Sequence, residues 1–113
     1  QGGYANNIVV KEHFAVHIPE HISLDKAAPL LCAGITTYSP LMKAKLKAGD
    51  KVGVAGIGGL GQMAIKLAVA MGADVYAFTS NATKVAEIMA LGVKEVVVVD
   101  KLSELKPLRI GIF

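Results

Sequence analysis

Residues 51–61 constrain this chain more than any others. Lys51-Val52-Gly53-Val54-Ala55 is a short apolar run without a polar face, and Gly56-Ile57-Gly58-Gly59-Leu60-Gly61 follows at once. A run that lacks alternation fits a parallel strand covered on both faces. Glycines at this spacing, between a strand and a helix, make a turn that cradles phosphate. Gly56 permits the tight exit from the strand, Gly58 lets a pyrophosphate approach the backbone, and Gly61 lets the helix pack closely on the sheet. The N–H groups at the helix start, at the positive end of its dipole, favour a diphosphate. The competing reading is a glycine-rich turn that binds nothing. The order strand, turn, helix, second strand argues against it.

The rhythm continues downstream. A helix is predicted over about 59–71, with Met63, Leu67 and Ala70 on its apolar stripe, Ile65 flanking them, and Gly72 as its C-cap. Residues 74–78 read as a second strand. Asn81 or Thr79 opens a helix over about 83–91 that Gly92 closes, and 96–99 is a third buried strand. Strand–helix–strand–helix–strand with right-handed connections gives an α/β fold: part of a doubly wound parallel sheet, the Rossmann type. Upstream, strands are expected over 4–10 and 14–18, the second stopped by Pro19. Ser23 caps a short helix that Pro29 ends. A further helical run spans about 33–45, with Pro40 expected to end or kink it, and 47–50 is a turn with a polar tip. Past Asp100 the pattern weakens to a short helical turn and a strand over 108–113.

Composition narrows the function classes. The 113 residues are 53% hydrophobic with a formal charge of +3, ample for a core and against disorder. The lysines are scattered and the few aromatics spread out, so no nucleic-acid partner is expected. The most apolar stretch, Val52 to Leu60, is too short to cross a bilayer, so no membrane association is expected. A single cysteine, Cys32, cannot form an intrachain disulfide, and Gln1-Gly2-Gly3-Tyr4 does not look like a signal peptide. The expected compartment is the cytoplasm. The chain lacks an initiator methionine and is expected to begin inside a longer protein.

The end of the second strand selects the cofactor. NAD sites usually place a carboxylate there, about 20 residues past the first glycines, on the ribose 2′-hydroxyl. Here the place holds Thr79-Ser80-Asn81, with Lys84 just beyond. Nothing in that group repels a 2′-phosphate. A hydrogen bond to a charged group contributes about 1.5–3 kcal/mol, so two of them are enough to set a preference for NADP. Ser80 and Asn81 also suit helix capping, which uses the same geometry.

On its own Cys32 would read as a small buried hydrophobe. Its surroundings say more. The run Ala28-Pro29-Leu30-Leu31-Cys32-Ala33-Gly34-Ile35-Thr36-Thr37-Tyr38-Ser39-Pro40-Leu41, with 49–54 and the glycine turn at the matching separation, resembles the zinc-dependent medium-chain alcohol dehydrogenases of the cinnamyl-alcohol-dehydrogenase type. The resemblance covers about residues 2–99. It implies that Cys32 is one ligand of a catalytic Zn2+. It implies that Thr36 lies near the nicotinamide, in a catalytic and cofactor-binding position. NADP would be held by Gly56, Ile57, Gly58, Gly59, Leu60 and Gly61 and, at its 2′-phosphate, by Thr79, Ser80, Asn81 and Lys84. The implied substrate is an aldehyde or primary alcohol, aromatic or aliphatic, and the full-length enzyme is expected to be a homodimer. The implied division is 1–34 as the end of a β-rich, GroES-like catalytic domain and 35–113 as the first half of the NADP-binding domain.

The departures are as informative. The family's other catalytic zinc ligands, a cysteine and a histidine–glutamate pair, and its structural-zinc cysteines have no counterpart here. His13, His17 and His21 are four apart, but Val16, Ile18 and Pro19 indicate extended chain, so they do not form a ligand set. The chain is therefore expected to be a fragment, inactive alone. The alternatives are a nucleotide-binding module or a truncated remnant, each without catalysis.

Overall fold

The computed structural model describes residues 2–99 and, as backbone only, 111–112. Its centre is a parallel sheet in the order β3-β2-β1-β4: β1 is Lys51–Ala55, β2 Asp74–Thr79, β3 Glu95–Val98 and β4 Gly111–Ile112. Every pairing is parallel. β1 registers Lys51 with Asp74 and Ala55 with Phe78, and β2 registers Tyr76 with Glu95 and Thr79 with Val98. β1 and β2 are both flanked on either side, and in β1 Val52, Gly53 and Val54 are all buried, as a run without a polar face requires. β4 falls within the strand predicted over 108–113. The rest of that strand and the predicted helical turn lie outside the described residues.

Helix α3, Gly59–Ala70, returns the chain from β1 to β2. Gly72 closes it at φ 83°, a left-handed geometry that glycine adopts without steric cost. Its buried face is Gly61, Ala64, Ile65 and Ala68, whereas Met63 and Leu67 are half-buried and Ala70 is exposed. The predicted stripe of Met63, Leu67 and Ala70 is thus displaced around the helix. The α3 sequence is apolar on nearly every side, so periodicity alone does not fix which side meets the sheet. Small residues face it because the helix lies close. Past β2, a 3-10 turn over Ala82–Lys84 leads into α4, Val85–Met89, in place of one helix over 83–91. Gly92 at φ 92° follows it. On the far side from the glycine turn, Lys94 Nζ donates to Asp74 Oδ2 at 2.7 Å, and this hydrogen bond and charge raise the lysine pKa.

Before the sheet the chain is helical from residue 24 to residue 43. α1, Leu24–Pro29, opens into a π turn, Leu30–Gly34, which passes into α2, Ile35–Lys43. Neither proline stops it. Pro29 crowds the carbonyl four residues back, and the irregularity is taken up where the helix widens. Pro40 removes one donor, yet α2 continues because Leu41 is buried in the core beside Val52, Val54 and Ile65. Burial there outweighs the local preference.

The two strands predicted over 4–10 and 14–18 are not formed. Residues 2–22 hold only a 3-10 turn, Glu12–Phe14, and Tyr4, Val9, Phe14 and Val16 are exposed. A strand needs a neighbour to satisfy its N–H and C=O groups, and no described strand lies beside these residues. Among the described residues, no helix is long and apolar enough to cross a membrane.

Candidate functional site

The glycine turn works through three different glycines. Gly56 leaves β1 at φ 81°, and its N–H donates to Phe78 O at 3.3 Å, which ties the turn to β2. Gly58 is the N-cap of α3 and supplies no side-chain cap. The first backbone bond of the helix is Gln62 N–H to Gly58 O at 2.9 Å. The amides of Gly59, Leu60 and Gly61 therefore point out of the helix as orphan donors. A Cβ placed on Gly58 or Gly59 meets nothing within 4 Å, so this face is open. A Cβ on Gly61 would run into the carbonyl oxygen of Gly56. The sequence reading ascribed Gly61 to packing of helix on sheet; the contact that excludes a side chain is instead with the turn's own backbone. Ile57 turns its side chain into the core, which leaves only its backbone facing the turn's exterior.

Two hollows meet at this turn and share Ala55 and Gly56. The first, of about 380 Å³, lies between α2 and α3 and is lined by Thr36, Thr37, Pro40, Leu41, Val54, Leu60, Gly61 and Ala64. The second, of about 630 Å³, lies between the ends of β1 and β2 and is lined by Ile57, Gly58, Phe78, Thr79, Ser80, Asn81, Lys84 and Val99. The fold thus brings Thr36, twenty residues upstream, to the same turn as Leu60 and Gly61. Of the twelve residues singled out in the sequence, only Cys32 and Gly59 line neither hollow. Thr37, Pro40, Leu41, Val54, Ala55, Ala64, Phe78 and Val99 were not foreseen as lining. Helical spacing from Thr36 to Pro40 was a signal for one of them. The rest depend on which strands become neighbours.

Charge divides the hollows. The first is mainly apolar. In the second, Lys84 is the sole charged residue of the lining. The segment after β2 is held by its own side chains: Asn81 N–H donates to Thr79 Oγ1 at 3.1 Å, and Asn81 Oδ1 accepts from Thr83 N–H at 2.9 Å and from Thr83 Oγ1 at 2.7 Å. Thr79 is buried and organises the turn, whereas Ser80, Asn81 and Lys84 are exposed at the rim. Asn81 rather than Thr79 is the cap. Cys32 is exposed on the π turn.

Known proteins resemble this chain in sequence and in fold. No protein-family model matches the chain. A probable zinc-type alcohol dehydrogenase-like protein of Acanthamoeba polyphaga mimivirus is 52% identical over 83 residues, 74% of this chain and 20% of its own length. The NADP-dependent alcohol dehydrogenase C 1 of Mycolicibacterium smegmatis is 53% identical over 91 residues, 80% of this chain and 26% of its own. The solved structure of CAD from Helicobacter pylori, complexed with NADP(H), superposes with a TM-score of 0.80 at 56% identity, covering 84% of this chain and 27% of that one.

The chain is homologous to one segment of the zinc-type, NADP-dependent alcohol dehydrogenases. It spans about a fifth to a quarter of the length of these relatives. Within this segment the residues present fit a dinucleotide: open orphan amides at α3, a hollow on each side of the turn, and a lone cation at one rim. They do not fit a zinc ion by themselves. Among the described residues, no three His, Cys, Asp or Glu side chains gather as a metal site. His13 stacks on Phe14 with ring centroids 4.0 Å apart.

Proposed function

We propose that this chain is the first half of the NADP-binding domain of an alcohol dehydrogenase, with the end of the catalytic domain before it. The carrying observation is the pair of hollows joined at the glycine turn. A dinucleotide has two halves linked by a diphosphate, and the open amides of Gly59, Leu60 and Gly61 lie where that link would bridge them. In this reading Gly56 to Gly61 hold the diphosphate. Thr36 and Leu60 flank the nicotinamide in the apolar hollow, and Ser80, Asn81 and Lys84 bind the 2′-phosphate, with Thr79 fixing their turn. When bound, the dinucleotide supplies or accepts the hydride exchanged with an aldehyde or primary alcohol. The domain division remains 1–34 and 35–113, although one continuous helical stretch crosses it.

Cys32 contributes one thiolate to a zinc site completed by residues outside this chain. Alone, the segment binds NADPH and turns nothing over, since a catalytic zinc takes three protein ligands and one open position. Homodimerisation of the whole enzyme and a cytoplasmic setting belong to the same proposal; a lone cysteine suits a reducing compartment.

Calorimetry with NADPH and NADH tests the reading. Tighter binding of NADPH supports it, and equal affinity overturns the assignment of Ser80, Asn81 and Lys84. Zinc-dependent NADPH oxidation with an aldehyde, lost in Cys32→Ser, would overturn the inactivity of the isolated chain.

A further inference from the structure

The π turn that holds Cys32 and ends two residues before Thr36 is an irregularity in the helix beside the apolar hollow. On a regular helix, residues four apart lie on one face, one above the other. Here Thr36 lines the apolar hollow and Cys32 does not. The turn that holds Cys32, Leu30–Gly34, carries wider bonding: the Ile35 N–H reaches Leu30 O as well as Cys32 O. Such turns are rare, occur mostly as single turns inside α-helices, and are frequent at functional sites. Two prolines weaken this stretch further, because Pro29 and Pro40 lack the amides that would tie it to the preceding turn.

Two contacts oppose that weakness. Gly34 is buried, and a Cβ there would sit 3.4 Å from the Leu30 side chain, so Leu30 lies across the turn. Thr37 Oγ1 donates to Ala33 O at 2.6 Å and lies 3.2 Å from Gly34 O, at the C-terminal edge of the turn. These are the only side-chain hydrogen bonds made by residues 24–43 among the described residues. Back-bonding of this kind bends a helix and slightly destabilises it when the helix is regular. At a turn already widened, it clamps the widened form.

We propose that Thr37 is a positioning residue whose hydroxyl holds the π turn and so fixes the offset between Cys32 and Thr36. Its importance for hydride transfer rests on the proposed function; the clamp itself does not.

Amide exchange and carbon chemical shifts of the full chain test this, with Thr37→Val and Thr37→Ser beside the parent. In Thr37→Val the Ile35 amide is expected to exchange about fivefold faster, the factor that one ordinary hydrogen bond represents. The Val54 and Ala77 amides keep their parental rates, and the Cys32 Cβ shift moves with the backbone. Thr37→Ser, which keeps the hydroxyl, restores both. Parental exchange and shift in Thr37→Val overturn the proposal, as does a serine variant that fails to restore them. So does a valine variant that loses the β1 and β2 protection as well, since the hydroxyl would then serve the whole fold. An unprotected Ile35 amide in the parent overturns it too. None of these readouts needs NADPH or zinc. A parent that fails to prefer NADPH therefore sinks the proposed function and leaves the clamp standing.

Discussion

Residues 4–18 and residues 51–98 are both rich in Val and Ile side chains, yet they end in opposite conditions. Val9 is 95% exposed and Ile65 is 0% exposed. The difference does not lie in hydrophobicity or in β-propensity, since both regions have them. It lies in neighbours. β1 reaches β2 through α3 and β2 reaches β3 through α4, so backbone bonds and apolar burial form together. The earlier segment has no described strand beside it. β-propensity is a preference for a pleated, half-buried surface, and without that surface it yields nothing.

Paired substitutions break or sharpen this contrast. The largest effect is expected for Ile65→Ala, which empties a fully buried position and costs about 2–5 kcal/mol, whereas Val9→Ala stays within about 0.5 kcal/mol. Urea unfolding followed by circular dichroism measures both, and equal losses would mean that residues 4–18 are packed in solution. Next is the ligand. Lys84→Glu is expected to weaken NADPH by about 1.5–3 kcal/mol through loss of a charge-assisted bond, and Lys11→Glu to leave it unchanged. Titration calorimetry separates a local phosphate contact from a general effect of net charge, which would move both variants alike.

A smaller effect separates two glycines. Gly61→Ala forces a methyl group against the Gly56 carbonyl and is expected to cost about 1–3 kcal/mol, as overpacking does. Gly3→Ala meets nothing within 4 Å and should leave the unfolding midpoint where it was. A tolerated alanine at 61 would show that the turn moves aside. The smallest effect belongs to Lys94, exposed and paired with Asp74. Its folded pKa is raised, so the stability it adds is fully present below the ordinary lysine range and fades as pH rises through the raised value. Lys94→Ala should lower Tm slightly at neutral pH, less in high salt, and not at all in strong alkali. A difference that persists in alkali would assign the effect to packing of the lysine stem.

Much of the sheet half was legible beforehand because its signals are local. The glycine turn, the C-caps Gly72 and Gly92, and the strands from Lys51 and Asp74 all follow from residues adjacent in sequence. Element ends differ by one or two residues, and the helix before β3 splits in two at Lys84. The face of α3 was misassigned, since a helix apolar nearly all round carries no phase. The prolines misled for a related reason. Their cost is local and visible, whereas the burial of Leu41 that outweighs it is neither.

The sequence by itself determined the phosphate-type turn, the strand–helix alternation and the absence of an acid after β2, because each depends on residue type and short-range spacing. Only the tertiary structure decided that Thr36 joins Leu60 and Gly61 around one hollow, that Gly61 is required by the Gly56 carbonyl, and that Cys32 sits on a π turn. It also decided that no described strand pairs with residues 4–18. These outcomes depend on which elements become neighbours. That is fixed by the combined burial and hydrogen bonding of distant segments, which no short window of sequence contains.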